Sequence, residues 1–273
     1  MNKRVKSTYT GKSYPQRHAE EDFVFFLHIP KTAGTSVANA LQPLFAKDKT
    51  LTHKQMNAVR FHDPSIFLSA KFFHGHFTYD VYAYRLPKQP DFILTFLRDP
   101  VAHYISMFFH LKIDPTFIHD VRLLPDMDLA REFHQSIEHS SIEAFFKHDL
   151  VDMFDNFQTR YLVRGLSDEY DGLDDIAQLP IAQKLLLNLP YFGITEYMSD
   201  SLRLLEYTMA APCPLTAPQT NLSRNKPKNY ALSEEILTEI TRRTSVDSKL
   251  YKLARKVFAD RCLAAQIHIQ PPA

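Results

Sequence analysis

The sequence predicts an α/β protein: a single domain whose mostly parallel central sheet is flanked by helices. Three observations carry that prediction. FVFFLHI (Phe23–Ile29) and FILTFL (Phe92–Leu97) are continuous apolar runs of strand length, the pattern of strands buried on both faces. Each passes through a polar turn into apolar residues at helical spacing, and strands alternating with helices build parallel sheets covered on both sides. At 273 residues, with 45% hydrophobic and 12% aromatic content, the chain has core material for one large α/β domain. No composition shift, repeat or low-complexity tract marks a second one.

Residues 1–21 are polar and aperiodic, which predicts a flexible N-terminal arm ahead of a folded domain over 22–265. The first strand runs into Pro30-Lys31 and a turn through Gly34. Val37, Leu41, Leu44 and Phe45 then recur at helical spacing, with Thr35 or Ser36 suited to the N-cap. KFFHGHFTY (Lys71–Tyr79), broken by Gly75, reads as a strand end or active-site loop. The strand Phe92–Leu97 meets Arg98-Asp99-Pro100, where Asp99 can cap a helix and Pro100 can take its first position. Val101, Ile105 and Phe108 mark the apolar face of that helix. Leu111–Pro125 reads as a loop, and helical patterns follow at Ile137–His148, Val151–Leu162 and Leu179–Leu189. YFGITEY (Tyr191–Tyr197) predicts a further strand, followed by a helix carrying Leu202, Leu205 and Met209. Ala210–Tyr230, with four prolines, is a long irregular segment able to close over a ligand. Ser233 and Asp247 suit the N-caps of the last two helices.

Lys+Arg (32) and Asp+Glu (31) nearly cancel, leaving a net charge of +1. That argues against nucleic acid as a partner and leaves room for a local basic pocket. No apolar run approaches the roughly 18 residues of a membrane span, and the basic N-terminus lacks the apolar core of a secretory signal. Cys213 and Cys262 are far apart and in no metal-ligand spacing, which suits a reducing compartment. The expectation is a soluble, cytoplasmic chain.

Two anion sites stand at the ends of the two clearest strands. In HIPKTAGTS, backbone N–H groups at a helix start carry partial positive charge. Lys31 adds a full charge, Thr32, Thr35 and Ser36 add hydroxyls, and Gly34 permits close approach or a positive φ. The lysine precedes the glycine, whereas the nucleotide-triphosphate loop needs Gly-Lys-Ser/Thr; ATP and GTP are therefore disfavoured. In LRDPVAHYIS, Arg98 lies at the carboxyl end of a buried strand, where open α/β sheets bind ligands, and Ser106 follows two turns into the helix. Arg98 either meets an anion or pairs with Asp99 or another carboxylate. Two anion sites suit a nucleotide with two separate phosphate groups.

HIPKTAGTS together with FLRDPVAHYIS resembles the two nucleotide-binding boxes of the sulfotransferases. FFHGHFTYDVY is similar to the His-Gly-His segment of the heparan sulfate and uronyl 2-O-sulfotransferases. YFGITEYMSDSLRLLE and DSKLYKLARKVF resemble their later strand–helix and closing helix, so the likeness touches Phe25 to Phe258. The resemblance implies the P-loop-like sulfotransferase fold over 22–265 and 3′-phosphoadenosine 5′-phosphosulfate (PAPS) as co-substrate, leaving 3′-phosphoadenosine 5′-phosphate (PAP), with no metal. It implies His76 as base with His74 beside it, and Lys31 against the transferring sulfuryl group. Thr32, Ala33, Gly34, Thr35 and Ser36 would line the 5′-phosphate, and Arg98 and Ser106 would bind the 3′-phosphate. Ala33 stands where many relatives have glycine, which suits a negative φ there. The acceptor implied is a hydroxyl, on a saccharide first and on a lipid, small molecule or tyrosine second.

The chemistry stands without the likeness: in-line sulfuryl transfer needs a positioned hydroxyl, a base and cations for the leaving phosphate. The other polar features have plainer readings. His28 reads as a buried, hydrogen-bonded histidine, and the His74/His76 pair has no further ligands at zinc spacing. Asp149, Asp152 and Asp155 read as a solvated face, and Arg160 as one half of a structural ion pair. In NLSRNKPKNY the basic cluster either closes over the 3′-phosphate through Arg224 and Lys226 or is a solvated loop. The rival functions are a nucleotide kinase or NTPase and a non-catalytic nucleotide-binding protein.

Overall fold

Phenylalanine, leucine and isoleucine fill the strands because the sheet is covered on both faces. The computed structural model describes residues 22–52, 68–76, 78, 89–121, 123–124, 126–217 and 232–271. The N-terminal arm and the basic cluster with Arg224 and Lys226 lie outside the described residues. Among the described residues five strands, β1 (Val24–Leu27), β2 (Thr50–Thr52), β3 (Phe72–Gly75), β4 (Phe92–Leu97) and β5 (Tyr191–Ile194), pair in the order β2-β3-β1-β4-β5. Every pairing is parallel. Phe25, Phe26, Phe72, Phe73, Phe96 and Phe192 are fully buried in this layer.

The order has one functional consequence. From β1 the chain moves outward to β2 and returns through β3, then crosses to β4 on the other side of β1. The carboxyl ends of β1 and β4 therefore flank a topological switch point, the place where open parallel sheets form a ligand crevice.

The helices among the described residues are α1 (Gly34–Leu41), α2 (Pro100–Leu111), α3 (Phe117–Asp120), α4 (Met127–Ile137), α5 (Ile142–Phe145), α6 (Phe157–Val163), α7 (Asp168–Asp171), α8 (Asp175–Asn188), α9 (Met198–Met209), α10 (Glu234–Arg243) and α11 (Ser245–Ala264). Asp99 caps α2 as expected, accepting from the Ala102 N–H at 2.9 Å with Pro100 at the first position, and Ser233 caps α10.

Several expectations are corrected. The Leu111–Pro125 loop contains α3. The Ile137–His148 pattern divides, α4 ending at Ile137 and α5 starting from its own cap, Ser141. Val151–Leu162 divides too, because Asn156 adopts φ 45° between a 3₁₀ turn and α6. Of the expected solvated face, Asp149 and Asp152 are exposed as read, whereas Asp155 is largely covered; Asp152 and Asp155 both bond the buried Arg243, at 2.9 and 3.0 Å.

Asp247 is not the N-cap of its own helix, which starts at Ser245. Its carboxylate instead accepts from the Gln158 and Thr159 N–H groups, at 3.0 and 2.7 Å, in the first turn of α6. Reciprocally, the Asn156 side-chain oxygen accepts from the Val246 and Asp247 N–H groups at 2.9 and 3.1 Å. Each helix start is thus satisfied by a residue belonging to the other.

Candidate active site

The loop after β1 is shaped by its backbone. Lys31 and Ala33 have φ of 66° and 64°, left-handed values that cost an L-residue energy. The expectation of negative φ at Ala33 is overturned: Ala33 is the left-handed N-cap of α1, and no side chain caps that helix, neither Thr35 nor Ser36. The Ser36 and Val37 N–H groups bond back to the Ala33 carbonyl, which leaves the Gly34 and Thr35 N–H groups at the helix start for a ligand. Left-handed residues alternating with ordinary ones form a concave anion nest, here continuous with a helix N-terminus.

Gly34 is required by packing. A Cβ there would lie 1.9 Å from His28 Nε2, so the imidazole occupies the space a side chain would need. Thr32 is wholly buried and its hydroxyl donates to the Ile29 carbonyl at 2.8 Å. Its hydroxyl donor faces into the loop and braces it. Thr35 is exposed and Ser36 is buried.

Three contacts from elsewhere hold this loop. Thr195, just past β5, donates its hydroxyl to the Thr32 carbonyl at 3.1 Å. His103 of α2 is fully buried, with Nε2 2.8 Å from the Pro30 carbonyl. Burial lowers its pKa to about 3, so the ring is neutral and Nε2–H is the donor. The third contact joins the two boxes: Arg98 Nη1 donates to the Lys31 carbonyl at 3.1 Å across 67 residues.

Arg98 sits at the carboxyl end of β4 on a backbone held by two side chains. Its N–H donates to Gln158 Oε1 and its carbonyl accepts from Gln158 Nε2, each at 2.9 Å. The Asp99 N–H donates to Glu196 Oε1 at 3.0 Å, and Glu196 Oε2 accepts from the Tyr251 hydroxyl at 2.6 Å. Ser106 is buried on α2. Lys31 is half-buried; burial, with the Arg98 charge second, lowers its pKa to about 8. Lys31 lies in the field of Arg98 and Asp114, and Arg98 in that of Glu196 and Asp99; two cations acting on one another favour an anion between them.

His76 follows β3, directly beside β1 in the sheet. Its ring centroid is 4.4 Å from that of His28 and 6.1 Å from that of Phe117. Nδ1 lies 3.3 Å from the His28 carbonyl. A carbonyl only accepts, so the ring proton belongs on Nδ1 and Nε2 keeps its lone pair. His74 stacks on Phe72 with ring centroids 5.0 Å apart. His110, at the end of α2, packs on Phe117 at 4.5 Å with Nε2 3.7 Å from Asp114. Burial first and the Lys31 charge second lower its pKa to about 4, which places a neutral imidazole in the field of Lys31.

The crevice thus gathers Lys31, Gly34, Arg98 and His76. Sequence reasoning missed His103, His110, Gln158, Thr195 and Glu196. His103 left a signal, a polar residue within the inward face of a strongly apolar helix, and Thr195 and Glu196 stand in the family-like YFGITEY stretch. His28 is half-buried and wedged between Gly34 and His76. Arg160 is a structural partner, donating to Asp175 through two nitrogens and to the Asp152 carbonyl. Among the described residues no group of three His, Cys, Asp or Glu side chains could hold a metal ion.

Comparisons with known proteins identify relatives of the chain. The chain is 23% identical over 279 residues to heparan-sulfate 6-O-sulfotransferase 3-B of Danio rerio, covering 88% of this chain and 65% of the relative. It is 26% identical over 188 residues to heparan-sulfate 6-O-sulfotransferase 2 of the same organism, covering 64% of this chain and 40% of the relative. It therefore spans less than two thirds of the length of either. Both relatives carry 6-O names, whereas the His-Gly-His segment suggested the 2-O type. The model of the Sulfotransferase family matches residues 17–258, and the chain belongs to that family.

Proposed function

We propose that this protein transfers the sulfuryl group of PAPS to a hydroxyl of a carbohydrate. The observation that carries the reading is the Arg98–Lys31 contact, which joins a backbone anion nest and a side-chain cation into one cradle at the switch point. PAPS supplies the sulfuryl group and, as PAP, the leaving group. In this reading the nest, the α1 N-terminus and Lys31 hold the 5′ end, and Arg98 with Ser106 holds the 3′-phosphate. The acceptor oxygen bonds to sulfur as the S–O bond to the 5′-phosphate breaks. His76 Nε2 takes the hydroxyl proton, and Lys31 meets the electron pair arriving on the phosphate oxygen. A base so placed contributes about 10²–10⁴-fold.

The saccharide acceptor is supported by the names of the two relatives, which also turn the expected position from 2-O toward 6-O. A cytoplasmic setting is part of the proposal, supported by Cys213 and Cys262, both free thiols. Among the described residues no helix is long and apolar enough to cross a membrane.

The test is a screen with labelled donor over polysaccharides, glycolipids and phenols, with His76→Ala as control. The expected result is label on a polysaccharide, lost in the variant while PAP still binds. Label on lipid or phenol alone would replace the acceptor class. Failure of His76→Ala to bind PAP would make His76 a binding or structural residue.

A further inference from the structure

The backbone of Arg98 needs a partner that the sheet does not provide. Pairing of β4 with β5 ends at Leu97↔Ile194, and pairing of β4 with β1 ends at Leu94↔Phe26. One residue further on, the Arg98 N–H and C=O are both bonded by the side-chain amide of Gln158, at 2.9 Å each. That amide acts as one extra residue of sheet ladder. It is 1% exposed, so it is sealed behind the crevice and reaches a ligand only through Arg98.

Gln158 is itself fixed. It lies in the first turn of α6, whose Gln158 and Thr159 N–H groups and Thr159 hydroxyl all donate to Asp247, at 3.0, 2.7 and 2.6 Å. Asp247 and Tyr251 are four residues apart on α11 and so share a helix face. Tyr251 completes the second hold, through Glu196, on the Asp99 N–H. The Arg98–Asp99 backbone is thereby gripped on both sides by one face of α11. A planar guanidinium meets an anion with two parallel bonds only when its Cα is correctly placed.

We infer that Gln158 is a positioning residue for anion recognition by Arg98, setting through the Arg98 backbone how strongly the protein distinguishes a 3′-phosphorylated nucleotide from one without that phosphate. The inference rests on the donor-binding reading given above.

The test compares the dissociation constants of PAP and of adenosine 5′-phosphate for the full chain. Gln158→Met removes both amide bonds at similar volume. Gln158→Glu keeps the acceptor for the Arg98 N–H and loses the donor to its carbonyl. The expected result is that Gln158→Met weakens PAP about tenfold or more, leaves adenosine 5′-phosphate within about twofold, and that Gln158→Glu falls between. Adding Gln158→Met to Arg98→Ala should cost PAP nothing further, because residues acting through one another are not additive. Equal weakening of both nucleotides, unchanged PAP affinity in a folded variant, or additive losses would each overturn the inference. Should Gln158→Met fail to fold, Gln158→Glu decides by the same ratio. A wild-type protein that does not prefer PAP to adenosine 5′-phosphate would overturn the donor reading, and this inference with it.

Discussion

The loop after β1 and the turn after β4 present their donors by opposite means. The first presents backbone: left-handed residues at Lys31 and Ala33 and an α1 start with no side-chain cap. The second presents a side chain, Arg98, and spends its backbone on bonds to Gln158 and Glu196. The groups the first presents are written within a few adjacent residues, though Thr195, His103 and Arg98 hold them from 163, 73 and 67 residues away. What the second needs comes from positions 60 and 97 residues away. A contiguous motif therefore records the groups that meet the ligand more faithfully than the groups that hold them in place.

The contrast can be broken experimentally, most sharply at Arg98. Because the turn acts through one side chain, Arg98→Ala should weaken PAP by about 100-fold and adenosine 5′-phosphate far less, by calorimetry. Equal losses would place Arg98 outside the 3′-phosphate site.

A second effect belongs to the lysine of the loop. The free protein holds Lys31 near pKa 8, and a bound anion raises that value. Below pH 8 the lysine is already charged, so PAP affinity should be flat there. Above it, binding must recover a lost proton, and affinity should fall by up to about tenfold per pH unit. A flat profile through the alkaline range would remove Lys31 from the anion's surroundings.

Gly34→Ala tests the packing of the loop. The added Cβ meets the His28 ring, and overpacking of this kind costs about 1–3 kcal/mol. Thermal unfolding should show the loss, and His28→Ala should restore most of it, since the imidazole is what the methyl strikes. Additive losses would mean that the collision is relieved elsewhere.

The smallest effect is expected at Ala33. With φ at 64°, Ala33→Gly removes left-handed strain at some cost in chain entropy, a net gain of about 0.5 kcal/mol. Destabilisation instead would show that the Cβ of Ala33 makes contacts worth more than its strain.

The readable parts of the sequence were those where one residue and its neighbours suffice. FVFFLHI and FILTFL announced buried strands, Asp99-Pro100 announced a helix start, and the two boxes announced the family. The strand–turn–helix alternation led to the all-parallel sheet. Asp247 misled because Asp before an apolar face is an ordinary cap; its real partners, Gln158 and Thr159, are 89 and 88 residues away. Ala33 misled because nothing local distinguishes an alanine held at positive φ by its surroundings from one that is not. Asp152 and Asp155 kept helical spacing, yet the cation they bind, Arg243, is 91 and 88 residues distant. In each case the missing information was tertiary.

The exchange of caps between α6 and α11 has a consequence for how the chain assembles. With Asn156 and Asp247 committed across the interface, each helix start lacks its usual local acceptor until the other arrives. The two starts, some 90 residues apart, therefore belong to one cooperative unit rather than two. In native-state hydrogen exchange the amides of Gln158, Thr159, Val246 and Asp247 should open together, with a common free energy. The same opening would release Gln158 from Arg98, so the nucleotide that grips Arg98 should protect amides at the far end of the chain.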